Sequence, residues 1–141
     1  MTTQTKPLVV DSAAHLLDFV ELTGIVIYEL QGVRREGKDE AEVEISVEER
    51  HDANSLEARF RMVVSDSLAT YTADVGTRYQ TSQPVELSKP VVKEFIERVA
   101  IMAAYPFIRE SIATTAARMQ LAVPVLGLLR SGSFSLDEGL I

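Results

Sequence analysis

Apolar and polar residues alternate most cleanly over EVEISVEE, Glu42 to Glu49. Val43, Ile45 and Val47 fall on one side there, and Glu42, Glu44, Ser46 and Glu48 on the other. Successive side chains of a strand point to opposite faces, so this run reads as a half-buried β-strand. Three further runs have the same character. Ile25 to Val33 is dense in Ile, Val, Tyr and Leu. From Leu56 to Val64, Leu56, Ala58, Phe60, Met62 and Val64 share a face opposite Glu57, Arg59 and Arg61. Leu68 to Tyr79 is rich in β-branched and aromatic residues. Ser65-Asp66-Ser67 reads as a tight hairpin turn. REGKDEAE and RHDANS are the polar loops before and after the second run. Four half-polar strands in succession predict an antiparallel sheet with one face packed.

The second half changes period. Ser88 is a candidate N-cap, and Pro90 falls in the first helical turn, where its missing N–H does little harm. Val92, Phe95, Ile96, Val99, Met102 and Ala103 form a helical stripe. Pro106 is expected to kink this helix or start another, and Ile108, Ile112, Thr115, Ala116 and Met119 continue the period. A short helix is expected after Asp11 and Ser12, through Ala13, Leu16, Leu17, Phe19 and Val20, ending at Thr23-Gly24. The fold class is therefore α+β: a four-stranded antiparallel sheet with a long kinked helix packed on one face. The 141 residues make one domain, with 1–10 and 130–141 expected to be loose.

Composition narrows the function classes. Lys and Arg number 14 against 21 Asp and Glu, a net charge of −7, whereas nucleic-acid binders carry basic patches, so no nucleic-acid partner is expected. With no Cys and two His, thiolate sites, Cys nucleophiles and His-based metal clusters drop out. The start, MTTQTKPLVV, has no signal-peptide core. The longest apolar run, Leu121 to Leu129, is broken by Pro124 and Gly127 and falls far short of the ~20 residues of a membrane helix. A cytoplasmic protein that inserts in no membrane is the expectation. None of the glycine-loop, nucleophile-elbow or zinc-helix motifs is present. Glu42, Glu44 and Glu48 read as a solvated strand face, and His51-Asp52 as a loop pair. No enzyme activity, cofactor or metal is expected.

One run is unusual. Leu121-Ala122-Val123-Pro124-Val125-Leu126 is apolar on every side yet contains Pro. It either packs in the core as an extended segment or walls an apolar groove. The helix from Pro90 to Met119 also carries more apolar and small surface than one four-stranded sheet can cover. A symmetric oligomer buries such surplus, with Tyr105, Phe107, Ile108, Ile112, Ala113 and Ala116 as the expected interface. Arg109 and Glu110 read as structural residues at a subunit boundary.

The stretch AAYPFIRESI, Ala103 to Ile112, resembles the signature of SecB-type chaperones, whose long helix carries an aromatic-Pro-aromatic-x-Arg-Glu motif, here Tyr105 to Glu110. Met119-Gln120-Leu121-Ala122-Val123-Pro124-Val125 resembles the Leu/Pro stretch that follows it in the family, and four antiparallel strands precede it there too. The resemblance spans roughly residues 20–126. It implies an ATP-independent holding chaperone, a dimer of dimers that keeps unfolded preproteins in apolar grooves and, in the export branch, passes them to the SecA motor. A second branch guards the antitoxins of toxin–antitoxin systems. By resemblance, Val43, Ile45 and Val47 on the second strand and Leu121, Val123, Val125 and Leu126 after the helix contact the client. Glu29 and Asp74 belong to an acidic face that meets the motor. The chain departs from the export branch in its short REGKDEAE loop and in VLGLLRSGSF, where a further amphipathic helix is expected. These departures leave the SecA partnership open. An export role is the first expectation, with antitoxin guarding, or a non-chaperone protein-interaction module of the same fold, as the alternatives.

Overall fold

The computed structural model describes residues 6–36, 41–127 and Leu136. In chain order the elements are β1 (Leu8–Val9), α1 (Ala13–Leu17), β2 (Val20–Arg34), β3 (Glu42–His51), β4 (Ser55–Ser65), β5 (Ala69–Thr81), β6 (Val85–Glu86), α2 (Lys89–Phe95), π-helical turns over Ile96–Ala100, and α3 (Ile101–Arg118). The expected α+β class is the observed one. β2, β5, β4 and β3 lie in that order as an antiparallel sheet, with β2 and β3 at the edges.

Local chemistry explains the corners. Asp66 Oδ1 accepts the N–H groups of Leu68 and Ala69, which closes the β4–β5 turn. Asp52 Oδ1 accepts those of Asn54 and Ser55 and the Ser55 hydroxyl, which closes the β3–β4 turn. These bonds, the Asn54 N–H foremost, hold the Asp52 carboxyl below its ordinary pKa. Ser12 caps α1 through the N–H of His15, and Ser88 caps α2 through that of Val91.

At Pro106 the long helix does not start anew. α3 runs through it, and the irregular stretch is the π-helical one at Ile96–Ala100. The N-terminal arm also does more than expected. Leu8 and Val9 pair in parallel with Val85 and Glu86, and Val10 is buried beside them in the core. The tail expected to be loose lies outside the described residues except for Leu136, which is buried.

α3 packs chiefly across β5 and next across β2. Leu56, Phe60, Met62 and Val64 of β4 and Tyr71, Val75 and Tyr79 of β5 point toward it. They close with Phe95, Ile96, Ile101, Ile108 and Ile112 into one buried core. Each such side chain contributes about 1.5–3 kcal/mol by leaving water. Tyr79 and Phe95 meet edge to face at 4.9 Å. No helix among the described residues is long and apolar enough to cross a membrane.

Candidate functional site

The end of α3 sets the path of everything after it. Gln120 takes φ 60°, the left-handed conformation that usually calls for Gly. Its N–H bonds the Ala117 carbonyl while the Leu121 N–H bonds that of Ala116. That pattern is a Schellman cap, which reverses the chain. Arg34 of β2 donates to the Met119 carbonyl, one of the helix-end acceptors left without an intrahelical donor. Close approach here depends on Gly32, where any Cβ would collide with Met119 Sδ and Thr115 Cγ2.

After this reversal, residues 121–127 have no regular secondary structure. The Tyr105 hydroxyl donates to the Gly127 carbonyl at 2.6 Å. From Met119 back to Tyr105 the helix rises roughly 21 Å at 1.5 Å per residue. Six extended residues span roughly 20 Å at about 3.3 Å each. Residues 121–127 therefore lead back along α3, held by the cap at one end and by Tyr105 at the other. Leu121 and Leu126 pack against the core, while Val123 is 46% and Val125 94% exposed.

Between this strap and the helix lies a cleft of about 360 Å³, walled by Arg109, Glu110 and Ala113 on one side and by Val123, Pro124, Val125 and Leu126 on the other. Arg109 turns back over the Tyr105 ring, its guanidinium carbon 5.8 Å from the ring centre. Glu110 turns the other way and accepts the Thr114 hydroxyl at 2.8 Å. Apolar walls with few polar groups suit non-directional capture of apolar side chains. Among the described residues, no cluster of His, Asp and Glu is arranged to hold a metal.

The expected contact residues are divided by this geometry. Val123, Val125 and Leu126 line the cleft; Leu121 anchors the strap beside it. Val43, Ile45 and Val47 do not line it. They pair with Val64, Met62 and Phe60, on the helix side of the sheet at its β3 edge. Val47 is core at 6% exposure, Ile45 is half-buried, and Val43 is 57% exposed. The expected interface residues divide too. Ile108, Ile112 and Ala116 are buried against their own sheet. Tyr105 and Ala113 are partly buried, and Phe107 is 43% exposed, so only these three of the six keep surface for a second copy.

The sheet face away from the helix is a different surface. Asp74, nearly buried, takes a two-pronged ion pair from Arg59 at 2.8 and 2.9 Å. Glu29 takes Arg61 at 3.1 Å. The two acids expected to form an acidic face are thus each paired with an arginine. Glu57 accepts Tyr28, Arg50 and Arg78 together, at 2.6, 3.0 and 2.8 Å, so one carboxylate ties β4 to β2, β3 and β5. Burial pushes its pKa up, but the Tyr28 and Arg78 bonds and the Arg50 charge outweigh that and hold it below the ordinary value. A bulge between Ile27 and Glu29 and the missing side chain of Gly76 let the Tyr28 ring lie across β5, with Arg59 stacked 3.9 Å above it.

Sequence reasoning missed the cleft's helix wall and its pins. Arg109 and Ala113 stand four apart on one helix face, a legible spacing. Tyr105 as a tether and Gln120 as a cap have no sequence signature of their own.

No family model matches the chain. Among characterised proteins it is 29% identical over 130 residues to the SecB-like chaperone SmegB of Mycolicibacterium smegmatis, covering 92% of this chain and 89% of the relative. The fold matches the SecB-like chaperone Rv1957 of Mycobacterium tuberculosis, solved in complex with a ChAD peptide from the Rv1956 HigA1 antitoxin. The TM-score is 0.70 at 15% identity, over 83% of this chain and 95% of that one. A Streptococcus agalactiae protein of unknown function matches at TM-score 0.50 and 12% identity, over 77% and 97%.

Proposed function

From the premise that the chain is SecB-like in both sequence and fold, we propose that it is a holding chaperone that keeps non-native polypeptide segments in the cleft between α3 and the strap, without catalysis and without ATP. The observation that carries this reading is the strap itself: an extended apolar segment with Val123 and Val125 turned outward beside a helix wall. Leaving such groups in water is unfavourable, and a partner's apolar side chains relieve it.

For the client, the reading we favour is an antitoxin-type segment. The matched Rv1957 binds an antitoxin peptide. The export reading, in which SecA receives the client from an acidic sheet face, is weaker because Asp74 and Glu29 already hold Arg59 and Arg61. A cytoplasmic site of action and a homo-oligomer, with a dimer of dimers as its fullest form, belong to the same reading. Leu22, Ile27, Leu30 and Val33 stand about half exposed along the edge strand β2, and Phe107 on the helix, and burial between copies would cover them.

The test is aggregation of an unfolded client in ATP-free buffer. The expected result is suppression at near-stoichiometric chaperone. Aggregation unaffected at several-fold excess, for both antitoxin and preprotein clients, contradicts it.

A further inference from the structure

Arg109 stands on the cleft wall as an exposed cation. Among the described residues its one contact of note is the Tyr105 ring, and no carboxylate pairs with it. Its surroundings make this notable. On the opposite face of the molecule Arg50, Arg59, Arg61 and Arg78 each sit on an acid. The chain carries −7 overall, so acids are in surplus, yet among the described residues no acid pairs with this arginine. Glu110, the other charge on the wall, points toward the next helical turn and is engaged by Thr114. The cleft is therefore polarised along its length, positive near Tyr105 and Gly127 and negative near Thr114.

We propose that Arg109 selects the client: the segment taken by the cleft carries a carboxylate beside its apolar residues, and Arg109 pairs with it. This rests on the holding reading above and names the class of segment held. The chain's net charge repels an acidic segment only at range, because salt screens beyond about 8 Å, whereas contact at Arg109 is local. Tyr105 supports the geometry. Tethered to Gly127, it holds its ring beneath the guanidinium and limits the positions Arg109 can take.

The experiment uses the full chain and three synthetic peptides with one apolar sequence. They differ at a single position next to the apolar run, which is Asp, Asn or Lys. Affinities are measured for wild type and for Arg109→Glu, with light scattering on both proteins. The wild type is expected to bind the Asp peptide more tightly than the Asn peptide, by up to about fivefold, the size of one exposed ion pair, with the Lys peptide weakest. Arg109→Glu is expected to invert the order, and the wild-type preference is expected to shrink with added salt. Equal binding of all three peptides by wild type overturns the proposal while leaving the holding reading intact. A preference that survives in Arg109→Glu overturns it as well. So does a variant whose oligomeric state changes while its peptide order does not, since Arg109 then belongs to a contact between copies. Binding of none of the peptides by a wild-type protein that still suppresses aggregation also overturns it. Failure in both assays contradicts the holding reading instead.

Discussion

The two faces of the sheet solve the problem of exposed side chains in opposite ways. Away from the helix, each nearly buried carboxylate is matched. Asp74 holds Arg59, and Glu57 gathers Tyr28, Arg50 and Arg78 from the three other strands. On the helix side the strap leaves Val123 and Val125 in water and Arg109 without an acid among the described residues. A surface whose groups are satisfied within the chain has little to gain from a partner. A surface with uncovered apolar groups and an unmatched charge has much to gain. Under the proposed reading, the contrast puts client binding on the helix side and leaves the charged face to hold the strands in register.

The sharpest way to break this comparison lies within one strand. Val47 is core and Val43 is open, although both point to the helix side. Val47→Asp buries an unpaired charge and is expected to cost about 4 kcal/mol or more, enough to unfold a marginal domain. Val43→Asp is expected to stay within about 0.5 kcal/mol of wild type. Thermal denaturation followed by circular dichroism reads both, and equal losses would mean the β3 edge is not graded as described.

A smaller effect sharpens the role of the charged face. Glu57 has its carboxyl pKa lowered in the fold, so its ionised form stabilises the protein above the unfolded-state value of about 4.3. That contribution is lost as pH falls through the lower folded value. Glu57→Gln keeps the shape and removes the charge. The expected cost is roughly 2 kcal/mol at pH 7, shrinking as pH falls below about 4. A variant with the same pH profile as wild type would remove Glu57 from its place at the centre of that face.

The smallest effect concerns the reversal that lays the strap down. Gln120 is held at positive φ, where Gly is at ease. Gln120→Gly is expected to stabilise by about 0.5–1 kcal/mol. A loss of stability would mean the Gln120 side chain does more than occupy the cap.

How much of this was legible follows from which forces are local. The two strands at Glu42 to Glu49 and Leu56 to Val64 could be read from alternation, because their helix-facing residues recur every second position, and the other two from their density of β-branched and aromatic residues. Ser88 could be read as a cap because its hydroxyl acts three residues away. Pro106 starts no new helix, since α3 packed along β5 and β2 continues through it, and the π-helical turns at Ile96–Ala100 had no signal in the sequence. The length of β2 was underread because Val20 to Gly24 pairs with Arg78 to Thr81, a long-range match that no local pattern encodes. Of the site, the apolar strap was visible as an oddity around Pro124. The wall it faces was not, since that depends on where a Schellman cap without Gly sends the chain. Arg109 was read as a structural residue because its motif is helical, and only the fold shows it on the cleft.

The central claim is that non-native chain is held between α3 and the strap, and it is tested most directly by changing Val125, which is 94% exposed. Val125→Asp leaves the core untouched, so its melting temperature is expected to equal that of wild type. Removing one apolar contact of that size from the bound client is expected to weaken holding about tenfold, read as the chaperone concentration that halves client aggregation. Unchanged protection by a folded Val125→Asp protein would contradict the account.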